Sequence, residues 1–318
     1  VVVYQGEGKI SRQELVEKVK GVEAILCLVT EKIDSEVFQA AGRQLKLVAN
    51  YAVGYDNVDV GEATRRGVMV TNTPSRLGDA VAEFTVALVL ALSRRIVEAD
   101  KFMRAGKYKA WAPNLFLGVD LTGKTLGIVG PGTIGAVVGK RLKTVFDMEV
   151  VYYCRNRKLE FEAETQSRCV DLKELLRISD VVTIHVPFTD ETRHLIGREE
   201  LALMKPTAIL VNTARGPVVE EGALREALER RQIWGAALDV YEEEVETEWS
   251  HLDPEDWRVL RGLPNVILTP HIASATMGAR EEMTRLAVNN IMKALGGEKP
   301  DNLVNVEVMT PSNGAGGR

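Results

Sequence analysis

The sequence predicts an α/β fold of two doubly wound domains, one inserted into the other. Three observations predict it. Short β-branched runs alternate with amphipathic stretches along nearly the whole chain, the alternation restarts near Thr125, and two long helical stretches bracket the restarted half. The 318 residues also exceed what one hydrophobic core usually fills.

Taken in order, Val1-Val2-Val3-Tyr4 reads as a strand, and Ala24–Thr30, Leu45–Asn50 and Val68–Thr71 as three more. Helices are predicted between them, over Arg12–Lys20, Asp34–Ala41 and Asp59–Arg66. Strands joined by helices form a parallel sheet covered on both faces. One long apolar helix, Ala80–Ala105, then leads into an irregular stretch holding Trp111, Pro113 and Gly118. The second array places strands at Thr125–Gly130, Glu149–Tyr153, Val181–Val186, Ala208–Asn212, Gly235–Val240 and Val266–Leu268. A last helix is predicted at about Thr276–Gly296, and the Gly-, Ser- and Asn-rich tail, 309–318, reads as disordered. The bracketing helices assign 1–73 and 276–308 to one discontinuous domain and 74–275 to the other.

Composition narrows the function. Hydrophobic residues make up 45% and charged residues 27%, as in an ordinary globular enzyme, and the net charge is −5. That balance gives no global field for nucleic acid or anionic lipid. Three cysteines, none in a C-x-x-C pair, make neither a disulfide framework nor a zinc cluster. The apolar run Val81–Leu92 is interrupted by Glu83 and Thr85 and is too short to span a bilayer. The expectation is a cytoplasmic enzyme with a small-molecule substrate, no metal, no nucleic-acid partner and no membrane partner. Because the chain starts at Val1 rather than methionine, an upstream segment is expected.

Gly130-Pro131-Gly132-Thr133-Ile134-Gly135 is G-x-G-x-x-G, with a predicted strand before it and a helix after it. Gly130 suits the tight turn, Gly132 the approach of backbone to a pyrophosphate, and Gly135 close helix–strand packing. The N–H groups at the start of the helix then face the phosphates. This makes 74–275 a Rossmann-type dinucleotide-binding domain. After the second strand, an NAD site presents a carboxylate to the ribose. Here Cys154-Arg155-Asn156-Arg157-Lys158 follows, so NADP(H) is the expected cofactor, with NAD(H) tolerated. A solvated basic turn is the plainer alternative.

Polar residues cluster just past three strands of the second array. Arg215 lies in Val211–Gly216, acids end Leu238–Glu244, and His271 lies in Thr269–Ser274. Ligands of doubly wound sheets sit at such carboxyl ends. With these segments, and with Asn50–Asn57, Val70–Pro74 and Gly130–Gly135, the chain resembles the D-isomer-specific 2-hydroxyacid dehydrogenases, most closely their glyoxylate/hydroxypyruvate reductase branch. The match runs from Val1 to about Val308.

The resemblance implies a flavodoxin-like substrate domain whose first strand–helix unit lies upstream of Val1. It implies reversible hydride transfer between NAD(P)H and C2 of a small 2-oxoacid, yielding the D-hydroxyacid where C2 becomes chiral. His271 would be the general acid in reduction and the base in oxidation, and Glu244 would hydrogen-bond its imidazole. Arg215 would bind the substrate carboxylate and polarise the carbonyl, with backbone N–H groups at Val53 and Gly54 completing that site. Asp239 would meet the nicotinamide carboxamide, and Val186, Pro187, Thr213 and Ala214 would line the cofactor. A homodimer built on Ala80–Ala105 is implied, with Trp111 reaching the partner.

The chain departs from the family pattern in three places. Val245 stands where proline is usual, Glu246–Arg258 is long and charged, and Gly78 replaces a threonine. Plainer readings make Arg215 a surface cation, Glu242–Glu244 a solvated run, and His185, His194 and His251 structural. Two rival functions stay open. One is a related dehydrogenase acting on phosphite, formate, lactate or 3-phosphoglycerate. The other is a nucleotide-sensing corepressor of the C-terminal-binding-protein type.

Overall fold

Every strand pair is parallel in the computed structural model, which describes residues 1–6, 8–74, 77–242 and 255–309. Helical crossovers between consecutive strands impose that arrangement. The chain divides into two compact units, one from Val1–Leu77 plus the chain from Thr276 onward, the other taking its described residues from Gly78 to Ala275.

In the first unit, α1 (Arg12–Lys18), β1 (Ala24–Cys27), α2 (Ser35–Ala41), β2 (Leu47–Asn50), α3 (Val60–Arg65) and β3 (Met69–Thr71) alternate, and the strands lie in the order β1-β2-β3. Side chains of Ser11, Asp34 and Asp59 cap the three helices by accepting from first-turn N–H groups. Val37, Phe38, Ala41 and Ala63 pack against Ile25, Cys27, Val48 and Val70 on one face of the sheet.

The second unit begins with α4 (Leu77–Ser93) and α5 (Ile96–Arg104). Then come β4 (Thr125–Val129), α6 (Thr133–Phe146), β5 (Glu149–Tyr153), α7 (Leu159–Thr165), β6 (Arg168–Cys169), α8 (Leu172–Ile178), β7 (Val181–Ile184) and α9 (Arg198–Leu201). β8 (Ile209–Asn212), α10 (Glu221–Glu229), β9 (Gly235–Leu238), α11 (Glu255–Gly262) and β10 (Val266–Leu268) complete it. The seven strands run β10-β9-β8-β7-β4-β5-β6, so strand order reverses between β4 and β7. That reversal is the Rossmann-type switch point. Both faces are apolar: Ile209, Val211 and Ala237 join one core, and Leu210, Ala236 and Leu238 the other. From there the chain returns to the first unit as α12 (Met277–Leu295), which packs Ala294 against Leu47 and Ala49 on the free face of that sheet.

Three expectations are corrected. Val1–Tyr4 forms no strand and joins neither sheet, and Val1, Val2 and Val3 are exposed. β-propensity needs a paired neighbour to become a strand. The helix expected over Ala80–Ala105 is two helices, broken at Arg95, which has φ 54°. Tertiary contacts hold that break: Val119 N–H donates to Ser93 O at 2.9 Å, and the Arg95 guanidinium sits 5.0 Å over the Phe116 ring. In the tail, Met309 closes a 3₁₀ turn, Val306–Met309, and 310–318 lie outside the described residues.

Candidate functional site

The glycine turn links β4 to α6. Gly130 has φ 91°, and a Cβ there would stand 2.7 Å from Val186 Cγ1. A Cβ on Gly135 would stand 2.4 Å from Gly130 O, so this glycine lets the helix close on the turn. Gly132 is the N-cap of α6, and no atom lies within 4 Å of where its Cβ would be. The space a side chain would fill therefore stays open beside the first-turn residues Thr133 and Ile134, the form a pyrophosphate cradle needs. Gly78 lies nearby, where a Cβ would stand 3.3 Å from Thr133 Cγ2.

Beyond β7, Val186 is partly buried and Pro187 exposed. His185 packs beneath the turn: its N–H donates to Val129 O at 2.8 Å, and its Nε2 is sealed without a hydrogen-bond partner. Burial pushes this imidazole down to about 3, so it is neutral.

At the end of β5, Cys154 is partly buried and its thiol donates to Asn156 O at 2.7 Å. Arg155, Asn156 and Arg157 are exposed. Arg157 forms a bidentate pair with Glu162, at 3.0 and 2.5 Å, and the Tyr152 hydroxyl donates to the same carboxylate. Arg157 first, then Tyr152, holds the Glu162 carboxyl below its usual range. Of the two guanidiniums nominated for a 2′-phosphate, Arg157 is thus already committed to a carboxylate.

Adjacent strands β8, β9 and β10 carry Arg215, the acidic segment and His271 at neighbouring carboxyl ends. Asn212 shapes the first loop: its Oδ1 accepts from Ala214 N at 3.0 Å and its Nδ2 donates to Arg215 O at 2.9 Å. Thr213 bonds Thr85 at 2.9 Å, fixing the loop to α4. Gly216 then brings backbone onto backbone, since a Cβ there would lie 1.9 Å from Tyr241 C. The Tyr241 hydroxyl donates to Thr269 O at 2.8 Å, joining the second loop to the third.

Asp239 fastens the third loop. Its Oδ1 accepts from Thr269 Oγ1 at 2.6 Å and Ile272 N at 2.9 Å, and its Oδ2 from Ala273 N at 2.8 Å. Burial pushes the Asp239 carboxyl up, against the pull of those donors and of nearby His271. Between the anchored residues stands His271, partly buried, with φ 53°. A non-glycine residue in that conformation is held by its surroundings, and such sites gather where function needs a fixed side chain.

The loops of Arg215 and His271 are therefore tied together through Tyr241. Glu244 lies outside the described residues, as do Val245, His251 and most of 246–258. Glu242 is more than a solvated acid, because it pairs with His194 Nε2 and accepts from Glu221 N at 3.2 Å. Sequence reasoning gave no role to Asn212, Tyr241 or the His194–Glu242 pair. A glycine directly after Arg215 was the available signal that two backbones meet there. Among the described residues no group of three or more His, Cys, Asp or Glu could hold a metal.

In the first unit, Val53 and Gly54 lie on the loop after β2. Ala52 O accepts from Thr73 N at 2.8 Å and Val53 O from Asn72 Nδ2 at 2.7 Å. In a trans peptide the N–H points opposite the carbonyl. The Val53 and Gly54 N–H groups accordingly face away from those partners. Buried Asn50 holds the far end of the loop, donating to Gly54 O at 2.8 Å.

Comparison with known proteins agrees with this scaffold. The family model for the D-isomer specific 2-hydroxyacid dehydrogenase, NAD binding domain, matches residues 86–273. A glyoxylate reductase of Thermococcus gammatolerans is 52% identical over 97% of this chain and 90% of its own length. A solved structure from Thermus thermophilus is 44% identical with a TM-score of 0.84, covering 93% of this chain and 91% of that one. The D-lactate dehydrogenase of Aquifex aeolicus, solved with NAD and lactic acid, is 30% identical with a TM-score of 0.82, over 91% and 88%. Fold, glycine turn, fastened loops and these likenesses together establish that the chain belongs to the D-isomer-specific 2-hydroxyacid dehydrogenases and works with a nicotinamide cofactor.

Proposed function

We propose that the chain reduces glyoxylate or hydroxypyruvate to the 2-hydroxyacid, the D-isomer where C2 becomes chiral, with NADPH preferred over NADH. The observation that carries this reading is the fastening of the Arg215 and His271 loops to each other through Gly216, Tyr241 and Asp239. The reduced nicotinamide supplies the hydride. Arg215 binds the substrate carboxylate and stabilises negative charge growing on the carbonyl oxygen. The Val53 and Gly54 N–H groups take the same carboxylate. His271 gives the oxygen its proton, and Glu244 keeps the imidazole oriented. Asp239 uses three of about four acceptor positions on the His271 loop, leaving one for the nicotinamide carboxamide.

In this reading 1–73 and 276–308 form the substrate domain and 74–275 the cofactor domain. Gly130, Gly132, Thr133, Ile134 and Gly135 hold the pyrophosphate, while Val186, Pro187, Thr213 and Ala214 line the cofactor. The NADPH preference rests on Cys154 standing where an NAD site has its carboxylate, and on exposed Arg155 beside it. The enzyme works in the cytoplasm as a homodimer, without nucleic-acid or membrane partners, in keeping with its acidic charge.

The test follows NADPH and NADH oxidation with glyoxylate, hydroxypyruvate, pyruvate and phenylpyruvate, and NAD⁺ or NADP⁺ reduction by phosphite. The highest kcat/KM is expected for glyoxylate or hydroxypyruvate with NADPH. Faster turnover of phosphite or phenylpyruvate would replace the substrate assignment, and equal use of both cofactors would remove the preference.

A further inference from the structure

We propose that the second unit carries another ligand site, at the amino ends of its strands, which takes a multivalent phosphorylated metabolite. A cavity of about 630 Å³ lies there, within the range of small-molecule sites. Its wall includes residues just before β8, β9 and β10, together with the end of α4 and the start of α5. Arg215 and His271 lie past the opposite ends of those parallel strands, so the cavity is distinct from the reaction site.

The lining is strongly cationic. Among the described residues, its wall holds Arg95, Lys101, Arg231 and Arg261 and one carboxylate, Glu98, which pairs with Arg95. A concave wall with a surplus of positive charge concentrates anions, and a guanidinium fork such as that of Arg231 fits phosphate oxygens. Trp234 adds an aromatic side chain to the wall.

Backbone conformation bears on two of these arginines, and on which substitutions they tolerate. Arg95 and Arg231 have φ 54° and 55°, where glycine is the residue favoured on conformational grounds. Arg95 sits in the break between α4 and α5, held by Glu98 at 2.9 and 2.6 Å and lying over Phe116. Arg231 follows the C-terminus of α10, its N–H donating to Leu228 O at 3.2 Å. Both arginines occupy glycine-type positions, and both open onto the same cavity.

The test is calorimetry on the full chain with saturating NADP⁺, which occupies the glycine turn, titrating inorganic tripolyphosphate and, separately, ADP. One saturable, salt-sensitive site per chain is expected, weakened at least ~10-fold by Arg231→Gly and by Lys101→Gln. Glycine suits the backbone at 231, so the melting temperature should hold and the loss will not reflect unfolding. Equal affinity for the two ligands would mean that phosphate alone is read, and tighter ADP would mean that Trp234 is used. Absence of saturable binding by either ligand, or binding indifferent to both substitutions, would overturn the proposal.

Discussion

At Gly216 one hydrogen atom separates two loops that must touch. A methyl group there would overlap the Tyr241 backbone, so Gly216→Ala should displace the turn bearing Arg215. A shift of about 1 Å in a positioned group costs on the order of 100-fold in rate, and overpacking costs about 1–3 kcal/mol. Steady-state kinetics and thermal melts on that variant should show both losses. His271→Ala should behave differently: turnover falls by ~10²–10⁴, while cofactor affinity measured by nicotinamide fluorescence stays near the parent's. Loss of cofactor binding in the same proportion would move His271 from proton transfer to scaffold. His185 has its effect on stability. Its proton is taken near pH 6.5 when unfolded but only near 3 when folded, so between those values the unfolded state holds the extra proton. Stability should therefore fall as pH drops through 6.5 toward 3, by about 1.4 kcal/mol per unit at most. His185→Leu should flatten that limb in denaturant melts across pH 3–7.

Among the elements, the turn after β5 is where the proposed NADPH preference is tested. With Arg157 held by Glu162, exposed Arg155 carries most of the expected 2′-phosphate contact. Arg155→Ala should raise KM for NADPH by ~10–100-fold and leave KM for NADH within about threefold, a charge-assisted contact being about 1.5–3 kcal/mol. Equal effects on both would return this segment to a solvated turn. The same turn shows what the sequence could disclose. Gly130 and Gly135 were legible because each place excludes a side chain, and strands such as Glu149–Tyr153 and Val266–Leu268 were readable to the residue because both faces are buried. Arg157's commitment was not readable, since its partner is set by how α7 packs. Nor was the break at Arg95, because Arg94 and Arg95 are good helix formers and the turn is held in part by Val119 and Phe116, far along the chain. Two-residue β6 was missed because Arg168–Cys169 offers no alternation to detect.

At the scale of the whole molecule, the stretch from Ile96 to Leu117 asks for a partner. Ile96, Met103, Tyr108, Leu115 and Leu117 are exposed, and Trp111 is 79% exposed. So many exposed apolar side chains within one stretch are what an interface would cover. Past α5, no helix or strand forms before β4, so these side chains lack the regular packing that would otherwise bury them. A two-fold dimer would cover them symmetrically, each copy offering the same stretch, and an interface of ordinary size needs about 800 Å² from each. Light scattering should then give twice the 35.0 kDa of one chain, with a melting temperature that rises with protein concentration. Placing carboxylates in the patch, as Met103→Glu with Trp111→Glu, should yield single chains whose melting no longer depends on concentration. Native protein scattering at one-chain mass, or a double variant that still pairs, would take this stretch out of the assembly.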